Sequence, residues 1–158
     1  MTTQSFDLYT ANGYAGDLVD SGPRVIQTGV LTAATAGFGL AMKRDAAVAR
    51  GVDLGGATKV YAISQREYNH EAGTRPSTGD DTVYRITESV SLIRQGYLYI
   101  KLGGSVSIAA GDSVHVDTVT GVFSKDVVAG NIVASLNVVA EEAALVGDVF
   151  KVRIDILA

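Results

Sequence analysis

Apolar and polar side chains alternate strictly near the C-terminal end of the chain. Phe150, Val152, Ile154 and Ile156 fall on one side of an extended backbone, with Lys151, Arg153 and Asp155 on the other. Successive residues of a strand point to opposite faces, so the run predicts a half-buried strand whose wet face is charged. Leu98, Ile100 and Leu102 alternate in the same way with Tyr97, Tyr99 and Lys101, and Ile132, Ala134, Leu136 and Val138 form a third expected inward face. Val114 and Val116 alternate with Ser113, His115 and Asp117. With Gly111-Asp112 before them and Thr120-Gly121 leading into residues 122–125, they predict a hairpin with one wet face. Further strands are expected over residues 24–30, 38–44, 59–65, 82–88 and 89–94, with Gly55-Gly56 and Gly103-Gly104 as chain reversals.

Helical periodicity is poor by comparison. The stretch 44–50, Arg-Asp-Ala-Ala-Val-Ala-Arg, has room for two helical turns, but Gly51 follows at once and a loop or short strand is equally expected. Closely spaced short strands with glycine-rich turns predict an all-β fold, a compact β-barrel or β-sandwich of short antiparallel strands. Residues 1–22 are polar and glycine-dotted yet carry Phe6, Leu8, Tyr9, Tyr14, Leu18 and Val19. That is too apolar for a plain disordered tail, so an extended N-terminal arm that orders on a partner is expected. Residues 23–158 then form a single β domain, and the patternless stretch 66–81 is expected to project from it as a surface loop.

Length and composition narrow the partners and the chemistry. A chain of 158 residues suits one domain with a respectable core. Cysteine is absent, which removes disulfides, thiolate catalysis and thiolate metal sites. The net charge of −4 and the scatter of the thirteen Lys and Arg argue against wrapping nucleic acid. The opening Met-Thr-Thr-Gln-Ser-Phe-Asp carries no basic stretch followed by an apolar one, so no secretory signal is expected. Residues 127–146, the longest nearly apolar run, are interrupted by Gly130, Asn131, Asn137, Glu141 and Glu142, so no membrane span is expected either. Charged residues make up 19% and mean hydropathy is +0.22. Such an apolar surplus without a membrane segment favours burial between chains over a large monomeric core.

Candidate catalytic and cofactor sites are weak throughout. His70 and His115 lack a second histidine at ligand spacing, and His70-Glu71 reads as a solvated loop pair, so no metal is expected. Gly103-Gly104-Ser105-Val106-Ser107 lacks the last glycine of a nucleophile elbow and reads as a turn entering a strand. Residues 51–56, Gly-Val-Asp-Leu-Gly-Gly, lack the Lys and hydroxyl of a phosphate loop, and no cofactor is expected. Asp80-Asp81 and Glu141-Glu142 are adjacent carboxylates, better suited to solvated turns than to acid–base catalysis. Tyr97 and Tyr99 share a face with Lys101, which keeps open a β-barrel binding module for carbohydrate or single-stranded nucleic acid. Without a basic cluster around them, tyrosine packing or a subunit interface is the better reading.

Four stretches, in order, carry a family resemblance. They are residues 13–23 followed by 24–29; Phe38-Gly39-Leu40-Ala41-Met42-Lys43; Val90-Ser91-Leu92-Ile93-Arg94-Gln95-Gly96-Tyr97-Leu98-Tyr99-Ile100; and the hairpin from Gly111-Asp112 through Val122-Phe123. Together they resemble the structural cement, or decoration, proteins of tailed-phage capsids. The resemblance spans nearly the whole chain, departing in the 66–81 loop and at 140–147. It implies a non-enzymatic structural protein, made in the bacterial cytoplasm and carried on the capsid exterior. There it would bind the major capsid protein at junctions between subunits. A homotrimer is implied, with a dimer as runner-up, and Phe6, Leu8, Tyr9, Tyr14, Leu18 and Val19 are the expected gripping residues. Neither nucleic acid nor membrane is an expected partner.

Overall fold

The structure, a computed structural model, describes residues 13–19, 22–32, 35–66 and 83–155. These hold β1 (Val25–Leu31), β2 (Ala36–Gly37), β3 (Ala41–Arg44), β4 (Gly51–Leu54), β5 (Ala62–Ser64), β6 (Val83–Tyr84), β7 (Ser89–Lys101), β8 (Ser113–Asp117), β9 (Phe123–Ser124), β10 (Ile132–Ala140) and β11 (Val149–Ile154). No helix occurs among the described residues, and so none long and apolar enough to cross a membrane. In the stretch 44–50, where a helix had room, Arg44 instead ends β3 and residues 45–50 form the turns that lead to β4.

Nine strands form one sheet in the order β1-β4-β3-β5-β7-β11-β10-β8-β9, and β2 pairs separately with β6. An additional β1–β7 pairing joins the two ends of the ladder β1-β4-β3-β5-β7, so these five strands make a ring of pairings. Most pairs are antiparallel, as expected, but β1 and β4 run parallel through Val30↔Gly51 and Leu31↔Val52. The expected strands at 82–88 and 89–94 are redrawn. Among the described residues of the first, only Val83–Tyr84 form a strand, and the second runs on to Lys101.

Two apolar clusters fill the molecule, and the central strands serve both. Ala41, Ile63 and Ile93 belong to the larger cluster, while Met42, Ala62 and Leu92 belong to the smaller. The register explains the sorting: Ala41 pairs with Ile63 and Ile63 with Ile93, while Met42 pairs with Ala62. Adjacent apolar residues point to opposite faces, so β3, β5 and β7 are buried on both sides. Each fully buried Leu or Ile contributes roughly 1.5–3 kcal/mol. Tyr84, fully buried, closes the smaller cluster edge-on to Phe38, with ring centroids 5.3 Å apart, and its hydroxyl donates to the Gln65 carbonyl at 2.6 Å.

Strand β7 changes phase within its length. Val90 and Leu92 face the smaller cluster, whereas Leu98 and Ile100 face the larger. Val25 pairs with Gln95 and Ile26 with Ile93, which leaves Arg94 as an extra residue. One inserted residue flips every side chain beyond it to the other face. A single long strand thereby lines both cores.

A second phase change corrects the expected inward face of β10. Leu136 is 65% exposed, while Ser135, Asn137 and Val138 are buried. The pairing with β8 shifts between Ala134 and Val139, marking a bulge. The Asn137 side chain explains why a polar residue takes the inward position. Its Nδ2 donates to the Val60 carbonyl at 2.9 Å, and its Oδ1 accepts the Val60 N–H at 2.9 Å. Ser135 Oγ adds a bond to the same Oδ1 at 3.2 Å. Val60 lies outside any strand, so this amide stands in for a missing ladder partner.

Two substitutions test this reversal by urea denaturation. Leu136→Ser is expected to shift stability by no more than about 0.5 kcal/mol. Asn137→Ala, which orphans a buried N–H and a buried carbonyl, is expected to cost roughly 2–3 kcal/mol. Equal costs, or a larger loss at Leu136, would contradict the assigned faces.

Candidate functional site

Residues 13–19 lie along the second half of β7, on top of the tyrosines at 97 and 99. Gly16 N–H donates to the Tyr99 carbonyl at 2.7 Å, Tyr99 N–H to the Asp17 carbonyl at 2.9 Å, and Val19 N–H to the Tyr97 carbonyl at 3.1 Å. Leu18 and Leu98 form an antiparallel bridge, and the Leu18 side chain packs against the larger cluster. In this stretch β7 is paired with β11 and also with the N-terminal segment. The arm expected over residues 1–22 is therefore not free of the domain along 13–19. It is an added strand-like edge, because β7 runs on past the end of β1 and needs partners there.

Side chains clamp the segment in place. The Arg66 backbone N–H donates to the Gly16 carbonyl at 2.9 Å, and its guanidinium sits 4.0 Å from the Tyr14 ring centroid and 5.9 Å from that of Phe38. Arg66 Nε also lies 3.9 Å from Asp17 Oδ1, and Asp17 Oδ2 accepts the Tyr14 N–H at 2.9 Å. A cation over an aromatic face contributes roughly 0.5–2 kcal/mol, more where water is excluded. Gly16 and Gly39 meet back to back with φ of +87° and +70°. A Cβ on Gly16 would fall 2.8 Å from Arg66 N and 2.9 Å from Phe38 Cβ, so the approach requires glycine.

The expected gripping residues are thus divided. Tyr14 is 64% exposed on the outer side of the segment, beside Arg66. Leu18 and Val19 are half-buried, Leu18 against the chain's own core. Phe6, Leu8 and Tyr9 lie outside the described residues, as do His70, Asp80-Asp81 and all of the 66–81 loop except Arg66. Tyr97 and Tyr99 are only partly accessible. A Cβ on Gly13 would fall 2.8 Å from Tyr99 Cε2, and one on Gly22 would fall 3.3 Å from Tyr97 Cε2. A stacking platform for bases or sugars needs open ring faces, and here the chain itself lies across them.

Ser105, His115 and Asp126 are brought together by β8, β9 and the turn after Gly104, a grouping that their spacing in sequence does not reveal. Their order is wrong for nucleophile activation. Ser105 N–H and Oγ both donate to Asp126 Oδ1, at 2.9 and 2.8 Å, while His115 Nδ1 meets the Asp126 carbonyl oxygen. An activated serine is hydrogen-bonded to an imidazole, not directly to the carboxylate. The group reads as a turn brace. Glu141 and Glu142 are taken up by Arg153 at 3.3 Å and Lys151 at 3.8 Å. Residues 51–54 are strand β4 rather than a phosphate-cradling loop. Among the described residues no three His, Asp or Glu side chains converge as metal ligands would.

The described residues thus form an all-β body with the N-terminal segment 13–19 strapped along β7. Residues 1–155 match the phage structural cement protein family (E217 gp24/Pam3 gp6), and the chain belongs to that family. In overall fold it is similar to a chain in the solved capsid of Myoviridae phage XM1, with a TM-score of 0.67 at 15% identity, covering 99% of this chain and 96% of that one. No curated protein matches the chain in sequence.

Two outcomes follow from this region. Gly16→Ala is expected to cost roughly 1–3 kcal/mol through the positive φ and the crowded Cβ. Because the Tyr99 N–H is protected by Asp17, its hydrogen exchange should accelerate in that variant; unchanged exchange would show the segment is not held by this contact. The turn carboxylates contribute to the dependence of stability on acid. Asp112, Asp117 and Asp126 are held below the usual range, chiefly by the N–H groups of Ala109, Thr120 and Ser105 respectively. A lowered folded pKa stabilises above the unfolded value of about 3.9, and the benefit fades as pH falls through the folded values. Calorimetry should therefore show Tm falling below about pH 4, and Asp117→Asn, which keeps an acceptor at Oδ1, should flatten that fall. A slope unchanged by Asp117→Asn would contradict this role.

Proposed function

We propose that this protein cements a tailed-phage capsid from outside, seated at junctions between major capsid protein subunits, and stabilises the shell. The family match over residues 1–155 carries the reading. Many identical weak contacts, repeated over a shell, sum to a large stabilisation through multivalency. The site of synthesis would be the bacterial cytoplasm and the destination the virion exterior. A homotrimer suits three-fold junctions, with a dimer as runner-up.

The grip is assigned to the N-terminal segment. Its root, Leu18 and Val19, is fastened to β7, and its outward residue Tyr14 is exposed. Phe6, Leu8 and Tyr9 precede this anchored root and are proposed to engage a neighbouring subunit, in the manner of a strand added to an exposed sheet edge. Apolar side chains at Val127, Leu136 and Leu145, between 65% and 80% exposed, support a protein-facing role for the body as well. No catalytic role is proposed. The sugar or nucleic-acid module is disfavoured by the covered rings of Tyr97 and Tyr99.

Removal of residues 2–12 tests the grip while sparing the anchored stretch. The shortened protein is expected to unfold at a temperature close to that of the full chain. Its co-sedimentation with undecorated shells should weaken by roughly tenfold or more, as loss of two or three apolar anchors implies. Undiminished co-sedimentation would remove the N-terminal segment from the interface.

A further inference from the structure

The ring of pairings β1-β4-β3-β5-β7 has an open end, and three arginines crown it. The strand period places them there. Arg44 follows Met42, buried in the smaller cluster, at a two-residue step on the same face, and the bulge at Arg94 turns that side chain to the recess that Leu92 also lines. Arg50, at φ +61°, closes the turn before β4 and donates to the Thr28 carbonyl at 3.1 Å. Together they border a recess of about 610 Å³. Its floor is apolar and buried, formed by Gly29, Val52 and Leu92.

The recess is electrically unbalanced. Ion pairs elsewhere on the body join Lys43 to Asp53, Lys125 to Asp112, Lys151 to Glu142 and Arg153 to Glu141. Among the described residues, none of Arg44, Arg50 and Arg94 has a carboxylate within 4.0 Å. Arg94 is instead held in position. Its guanidinium lies 4.5 Å from the Tyr61 ring centroid, Nε donates to the Tyr61 carbonyl at 3.3 Å, and Nη1 donates to Gln27 Oε1 at 3.3 Å. A chain of net charge −4 thus gathers three guanidiniums without carboxylate partners around one recess, where the local field favours an anion. Guanidinium forks match carboxylates in plane, and the apolar floor suits the methylene stem of an acidic side chain.

We propose that this mouth binds a carboxylate-bearing segment of a protein partner, and that the partner is a subunit of the shell. The site rests on the geometry alone; the partner's identity rests on the cement reading. The arginines then form a second anchor, remote from the N-terminal segment and sensitive to salt.

Two arms test it. In the first, the full-length protein is titrated with a hexaglutamate peptide, inorganic phosphate and an oligothymidylate, following backbone amide shifts. Hexaglutamate should shift Gln27, Gly51 and Leu92, and Arg44→Gln/Arg50→Gln/Arg94→Gln should bind it about tenfold more weakly or less, as loss of charge-assisted bonds implies. Should that variant lose cooperative unfolding, Arg44→Gln/Arg50→Gln, which keeps Arg94 on Tyr61, takes its place with an expected loss of at least about threefold. No shift at the mouth, equal binding by the variant, or tighter binding of the oligothymidylate or phosphate would overturn the site. The second arm co-sediments wild type and variant with undecorated shells. Weaker binding of the variant supports the shell as partner, and equal binding of both overturns it. If wild type itself fails to sediment, the cement reading and the named partner fall together, while the peptide arm still judges the site.

Discussion

The structure depends on the double-sided burial of β7. This one strand pairs with β1, β5 and β11 and with residues 13–19, and its side chains enter both apolar clusters. The extra residue at Arg94 lets it do so, by turning the inward phase from Leu92 to Leu98 without breaking the strand. Without that bulge, the even-numbered residues would face the same side throughout and one of the two clusters would lose its wall. The ring of five strands and the β8–β11 half would still meet at β7, but its side chains could fill only one of the two cores.

Much of this was legible in the residues. Alternation placed Leu98, Ile100 and Leu102 inward and Tyr97 and Tyr99 on the other face, and it identified the buried side of β11 and the β8 hairpin. The failures share a physical origin. A bulge shifts the two-residue period by one, and nothing in a run such as Ile132-Val133-Ala134-Ser135-Leu136-Asn137-Val138 announces where the shift falls. A buried Asn reads as a wet-face residue until its partner, the bare backbone at Val60, is known. Strand β4 escapes the alternation because Gly51-Val52-Asp53-Leu54 is short and its parallel partners, Val30 and Leu31, lie well upstream. Adjacent apolar pairs such as Ala41-Met42, Ala62-Ile63 and Leu92-Ile93 were a usable sign of strands buried on both faces.

The candidate binding surfaces were less legible than the fold. Apolar residues near the N-terminus pointed to a gripping segment, yet the Gly16–Gly39 contact and the Arg66 clamp, which join distant stretches, only emerge on folding. The arginine mouth was invisible for the same reason. Arg44, Arg50 and Arg94 look scattered along the chain, and only the strand register places them around one recess. Scattered basic residues are thus weak evidence against a local charge cluster in a β protein, where each face is assembled from several strands.

The body is held together by β7, with an anchored segment along one stretch of that strand and an arginine-lined recess elsewhere. Membership of the phage structural cement family agrees with that design. The most direct measurement is a cryo-electron microscopy map of undecorated tailed-phage shells mixed with the purified protein. The account predicts density for the β body over junctions between capsid subunits on the outer surface, with the residues before Gly13 laid against a neighbouring subunit. Density confined to the inner surface or to sites within single subunits, or no ordered density at all, would contradict it.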